Sequence, residues 1–213
     1  KITSHLHHLS HLASSYYPSG FDESLVISHD GVGEINCSLM ATASNGTISV
    51  FHHGNPWPHS LGLLYAAITE YLGWRYSSDE GIVMGLASLG DPHTIIPGKD
   101  ISYLEVFEKT LEIKDDFIFK LNLPEYMNFF EARNVWIGDK FIEYFGPKRN
   151  KNDEITQHHM NIAAGLQRRI EDVVIAQLKA AKKKYKKNKL CISGGVGLNC
   201  TMNGKILSMK IFD

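Results

Sequence analysis

The chain has 213 residues, with 22 Lys and Arg against 23 Asp and Glu, a formal net charge of −1, and 43% apolar against 21% charged residues. This is the composition of a globular protein with a sizeable core, and it gives no overall electrostatic reason to expect nucleic acid or a membrane surface as partner. Cys37, Cys191 and Cys200 are too few and too scattered for a disulfide framework or a zinc site and point to a reducing, cytoplasmic setting; no run of about 18 apolar residues is present, so no membrane span is predicted.

The first eleven residues carry four histidines, His5, His7, His8 and His11, in "HLHHLSHLASSYY". Leu6, Leu9, Leu12, Ala13, Tyr16 and Tyr17 are interleaved with them in an apolar rhythm, so roughly Leu6 to Tyr17 is predicted as a helix ended by "PSG". On a helix His7 and His11 stand four apart on one face, within reach of a common ion; a histidine-rich surface explains the same spacing. A β-rich run, Leu25 to Ser28, then ends at His29-Asp30-Gly31. "INCSLMATASNGTISVFHHG" predicts a hairpin turned at Asn45-Gly46. "PHSLGLLYAAITEYLGW" predicts a helix burying Leu61, Leu64, Tyr65, Ile68, Tyr71 and Leu72. "SDEGIVMGLASLGDP" predicts a shorter helix containing Gly81 and Gly85.

From Pro92 to Asn150 the signals weaken, and "DDFIFKLNL" and "VWIGDKFIEYFG" suggest small strands and helices in an inserted, lid-like layer. A long helix is predicted from about Asp153 to Lys187, with Ile162, Leu166, Ile170, Val173, Val174 and Leu178 buried. The lysines of its "KKKYKK" end complement the helix dipole and are expected to face water. "KLCIS" reads as a buried strand, "GGVG" as a tight turn, and "LNCTMNGKIL" as the start of another helix.

Two of these junctions carry chemistry. In "LCISGGVGLNC", Gly194 and Gly195 would let backbone amides approach an anion such as a phosphate, although a tight connection needs the same glycines. The spacing G-G-x-G matches neither the Walker pattern nor G-x-G-x-x-G. Asp30, in "HDGVGE", can bind a cation or form an Asp-Gly turn. With His7 and His11 it makes two imidazoles and one carboxylate, a ligand set for iron, manganese or zinc that leaves positions open for substrate.

"HHLSHLASSYYPSGFDESLVISHDGVGE" resembles the core of the O-carbamoyltransferases of nodulation-factor and antibiotic biosynthesis. "PHSLGLLYAAITEYLGW", "EGIVMGLASLGDP" and "CISGGVGLNCTMNGKIL" are similar to three further blocks of that family, in the same order. The resemblance implies an α/β architecture of the actin-like ATPase (ribonuclease H-like) kind, incomplete here, with an inserted small α+β layer at about 92–150. It implies a divalent metal, usually iron, on His7, His11 and Asp30, and an adenylate site with Gly194, Gly195 and Asn199. The implied reaction uses carbamoyl phosphate and ATP to form carbamoyl adenylate, then transfers the carbamoyl group to a hydroxyl of a sugar or related small molecule.

Beginning at Lys1 without an initiator Met and stopping at "KIFD", residues 1–213 read as a partial N-terminal carbamoyltransferase domain. The adenylate-forming C-terminal domain is expected outside it, and the piece alone is expected to be inactive. Ile82 stands where family members usually have a lysine. His8 and His29 are weak candidates for the base that the acceptor hydroxyl needs. A tRNA threonylcarbamoyl-transfer component shares the His-x-x-x-His pattern and the glycine motif, and a non-catalytic nucleotide-binding domain would retain both for packing.

Overall fold

The apolar run at Leu25–Ile27 becomes the centre of a four-stranded sheet. A computed structural model describes residues 2–130 and 136–213, so Val135, the first residue of the "VWIGDKFIEYFG" segment, lies outside the described residues. The chain divides into two compact units, one formed by Lys1–Leu63, Lys114–Phe119 and Val174–Asp213, the other by Leu64–Ile113 and Lys120–Val173.

In the first unit the elements are α1 (His7–Tyr16), β1 (Glu23–His29), β2 (Ser38–Ser44) and β3 (Thr47–His52). Toward the C-terminus follow one strand of the same sheet (Leu190–Ser193, here βC) and the helix Cys200–Ser208 (here αC). The strand order is β3-β2-β1-βC. β1 and β2 are antiparallel, as are β2 and β3, and the hairpin turns at Asn45 (φ 49°) and Gly46 (φ 76°), the left-handed pair that a two-residue turn requires. βC pairs parallel with β1 in the register Leu25↔Leu190 to Ser28↔Ser193. The sheet is therefore mixed and the fold is α/β.

The period-two alternation of β1 decides which side chains meet α1. Val26, with Leu39, Ala41, Ala43 and Cys191 from the neighbouring strands, forms a core cluster with Leu12 and Tyr16 of α1. The buried residues of α1 are His8, Leu12 and Tyr16, a stripe at i, i+4 and i+8. This corrects the expected apolar rhythm: Leu6 and Tyr17 are 62% and 61% exposed. The helix ends in a short 3-10 turn at Tyr17–Ser19, and Gly20 takes the left-handed conformation at φ 73°.

The second unit holds most of α2 (Leu61–Tyr71), then α3 (Glu80–Ala87), α4 (Tyr103–Thr110) and α5 (Asp139–Phe145). It also holds the first part of the long helix Gln157–Tyr185 (α6), whose Val174–Tyr185 belongs to the first unit. A two-stranded sheet, β4 (Leu111–Ile113) with β5 (Phe119–Leu121), completes the regular structure. The six residues expected inside at α2, Leu72 just beyond its end included, and the six expected inside at α6 are all buried. α6 starts later than Asp153 because Asp153 is engaged in a turn, accepting from the Asn150 backbone N–H at 2.9 Å. Two lysines of the basic stretch do not face water as expected. Lys182 donates to the Ile211 carbonyl, and Lys187 pairs with Glu23 and Ser44. Among the described residues, no helix is long and apolar enough to cross a membrane.

Candidate metal centre

Asp30 follows Val26 and Ser28 at period two, so it leaves the end of β1 on the side that faces α1. One turn of α1 brings His7 and His11 over it. His7 Nε2 lies 2.9 Å from Asp30 Oδ2, His11 Nε2 lies 2.8 Å from the same oxygen, and the two Nε2 atoms are 3.1 Å apart. Three atoms bound at about 2.1 Å to one ion, at right angles to one another, would stand about 3.0 Å apart. The three atoms are therefore close enough together that they could hold one metal ion. Each of the three groups is partly accessible: the side chains of His7, His11 and Asp30 are 41%, 31% and 23% exposed. His7 and His11 border an open cleft of about 530 Å³ lined also by His5, Ser10, Ser14 and Glu34.

The other Asp30 oxygen is held by backbone. Oδ1 accepts the Gly31 N–H at 2.8 Å, and the Gly195 N–H also reaches the carboxylate. Burial pushes the Asp30 carboxyl up, but His7, the Gly31 N–H, His11 and the Gly195 N–H outweigh it and hold the group below the usual carboxylate range. The aspartate is thus kept ionised, the state in which a carboxylate could hold a metal.

The parallel pairing of β1 with βC places the glycine turn beside this aspartate. Gly194 has φ 84°, and a Cβ there would stand 2.3 Å from the His29 carbonyl oxygen. A Cβ on Gly195 would stand 2.9 Å from Asp30 Oδ1. Both glycines are thus needed for close approach to the end of β1, and the Gly195 N–H is directed at Asp30. Asn199 is buried at the start of αC, where its Oδ1 accepts the Met202 N–H at 2.9 Å as an N-cap. His7, His11, Asp30, Gly194 and Gly195 are gathered at one end of the sheet. Ile82 lies on α3 in the second unit and is 49% exposed.

Neither weak candidate for the base is available. His29 points to the opposite face from Asp30 and is buried, and neither ring nitrogen makes a well-formed hydrogen bond. Burial lowers its pKa to about 4, with Gln177 the polar neighbour opposing that, so the ring is neutral and out of reach of a substrate. His8 is 4% exposed: Nε2 is 2.8 Å from the Asn36 carbonyl and Nδ1 is 2.9 Å from Ser28 Oγ. Burial, the largest influence, holds its pKa below the ordinary value.

Several supporting residues escape a reading by motif alone. Leu6, the cap position of α1, has no side-chain bond to the helix, and Glu34 supplies one instead by accepting the His7 N–H at 2.9 Å. Ser60 Oγ accepts the Leu63 N–H, capping α2, and lies 3.0 Å from the Asp30 carbonyl, to which it can donate. A Cβ on Gly62 would meet the Gly31 nitrogen at 2.6 Å, so the start of α2 packs directly on the backbone behind the aspartate. The signal for Gly31, Gly33 and Glu34 was their place in "DGVGE"; Ser60 carried none.

Comparison with known proteins bears on the family of the chain. An uncharacterised protein of Synechocystis is 37% identical over 202 residues, covering 94% of this chain and 31% of the relative. Nodulation protein NolO of Bradyrhizobium diazoefficiens is 35% identical over 207 residues, 97% of this chain and 34% of the relative. Nodulation protein NolNO of Sinorhizobium fredii is 34% identical over 206 residues, 97% of this chain and 27% of the relative. The chain spans about a third of the length of these curated relatives. The family described as "Carbamoyltransferase N-terminus" matches residues 1–213, so the chain belongs to that family.

Proposed function

We propose that this chain forms the metal- and nucleotide-binding part of an O-carbamoyltransferase, which passes a carbamoyl group from an ATP-derived carbamoyl adenylate to a hydroxyl of a sugar or related small molecule. Carbamoyl phosphate is the source of the carbamoyl group. The observation that carries this reading is the convergence of His7 Nε2, His11 Nε2 and Asp30 Oδ2 within 2.8–3.1 Å of one another. A divalent ion, iron by family resemblance, would be held by these three atoms and would supply Lewis-acid stabilisation of charge on the reacting carbonyl or the leaving phosphate.

The residues around the triad have defined tasks. Asp30 couples the two halves of the site: its Oδ2 faces the imidazoles while Oδ1 is fixed by backbone amides. The glycine turn at Gly194 and Gly195, the part of the adenylate site the family resemblance implies, packs closely against the end of β1, and Asn199 keeps the turn joined to αC. The open cleft gives the acceptor access. In the transfer step the acceptor oxygen bonds to the carbamoyl carbon, the bond from that carbon to the adenylate oxygen breaks, and AMP departs with its electron pair. The hydroxyl proton passes to a base, for which His8 and His29 are too deeply buried.

The strand order β3-β2-β1-βC, three antiparallel neighbours followed by one parallel strand, supports an actin-like, ribonuclease H-like relationship. Because the relatives extend far beyond the matched region, full turnover is expected to need their remaining length, with binding retained by this part. Elemental analysis after anaerobic loading with Fe(II) tests the reading. One ion per chain, lost in a His7→Ala/His11→Ala double variant that still folds, is expected. Equal metal content in both proteins, or none in either, would overturn it.

A further inference from the structure

His8 lies next to the proposed ligand His7 in sequence but its ring bonds Ser28 and Asn36 instead of Asp30, and both ring nitrogens are used. Asn36 contributes a carbonyl oxygen, which can only accept, so His8 Nε2 must carry the proton. Nδ1 is then the bare nitrogen and accepts from the Ser28 hydroxyl. One ring thereby ties the first turn of α1 to β1 and to the loop that follows Asp30. That loop is closed by the Gly33 N–H, which donates to the same Asn36 carbonyl at 2.8 Å. It is tied to α1 a second time by Glu34, which accepts the His7 N–H at 2.9 Å.

The packing leaves the ring no other place. A Cβ on Gly33 would stand 2.9 Å from His8 Cδ2 and 3.2 Å from Nε2. Gly33 has no positive φ, so the close approach of the imidazole, not backbone freedom, explains a glycine here. The buried stripe of α1 then continues through Leu12 and Tyr16. These apolar residues hold the helix against the sheet, but apolar contact resists sliding and rotation weakly. His8 adds two directional bonds at the end of the helix where His7 sits.

We propose that His8 is a positioning residue for the metal centre, fixing the rotation and axial register of α1 so that His7 and His11 meet Asp30 at ligand distance. This inference rests on the metal reading above and assigns His8 no contact with ion or substrate. It also gives "DGVGE" a residue-level meaning: Asp30 binds, Gly31 steadies the carboxylate, Gly33 admits the imidazole, and Glu34 caps the helix.

The test titrates the wild-type protein and three variants, His8→Phe, His8→Gln and Gly33→Ala, with Co(II), following the d–d absorption and, separately, thermal unfolding. His8→Phe is expected to weaken Co(II) binding by about tenfold or more and to alter the absorption, in line with the cost of losing supports around a metal site. His8→Gln keeps an N–H for Asn36 and is expected to recover most of the affinity. Gly33→Ala, which disturbs the ring without removing it, is expected to fall between wild type and His8→Phe, and it decides the matter if His8→Phe does not fold.

Unchanged Co(II) affinity and spectrum in all folded variants, with only the melting temperature lowered, would overturn the positioning role and leave the metal reading intact. Failure of the wild-type protein itself to bind Co(II) would overturn both. Nitrogen-15 NMR of the histidine rings adds a check that needs no metal: a proton on Nδ1 of His8, with Nε2 bare, would also overturn the proposal.

Discussion

The site turns on which way single side chains point. Asp30 and His29 are neighbours, yet the alternation of β1 sends one to the imidazoles and the other into a buried environment. Gly195 shows the same sensitivity, because a methyl there would stand 2.9 Å from Asp30 Oδ1. Gly195→Ala is therefore expected to weaken metal binding by about tenfold, comparable to losing another support of a metal ligand. Calorimetric titration with Co(II) would show this, and unchanged affinity would mean that the turn relaxes freely. The cysteines divide by burial. Cys37 is buried and its thiol is pushed up to about 11 by desolvation, whereas Cys200 is exposed. A thiol reagent at pH 8 is expected to label Cys200 rapidly and to reach Cys37 and buried Cys191 on unfolding, countable by mass spectrometry.

Among the elements, α1 bears most on the proposed centre, because it carries two of the proposed ligands and is held by a narrow stripe. Leu12 is fully buried in that stripe, and Leu12→Ala is expected to cost about 3 kcal/mol through lost apolar contact and a residual cavity. Chemical denaturation would measure the loss, and metal affinity is expected to fall with it because both imidazoles ride on the same helix. α4 offers a control remote from the ligands in sequence. Ser102 and Glu105 form a capping box, with the Ser102 hydroxyl accepting the Glu105 N–H and the Glu105 carboxylate accepting the Ser102 N–H. Ser102→Ala is expected to cost about 1 kcal/mol and to leave metal binding unchanged.

For the whole molecule, the proposed ligands come from separate segments assigned to the same compact unit. Saturating metal is expected to stabilise that unit by about 2.7 kcal/mol at a hundredfold excess over Kd. Hydrogen exchange with and without metal would locate the effect. Added protection is expected in α1, in residues 30–36 and around the 193–199 turn, and not in α4 or α5. Uniform protection of both units, or none, would contradict a centre confined to the first unit.

Much of the local structure was legible in the sequence because its causes are local. The Asn45-Gly46 turn needs two residues tolerant of positive φ, and the buried faces of α2 and α6 follow from helical periodicity. The blocks around "HHLSH", "DGVGE" and "SGGVGLN" were sufficient to indicate the family. Tertiary structure decided what those residues do beside one another. Parallel pairing of β1 with βC brings Gly195 to Asp30, and packing of α1 on the sheet makes His8 a buried strut where the sequence offered it only as a weak candidate base. Spacing along a chain reports on neighbours within a few residues. The contacts that orient this site depend on strand register and helix rotation, which are settled only when distant segments bury their apolar faces together.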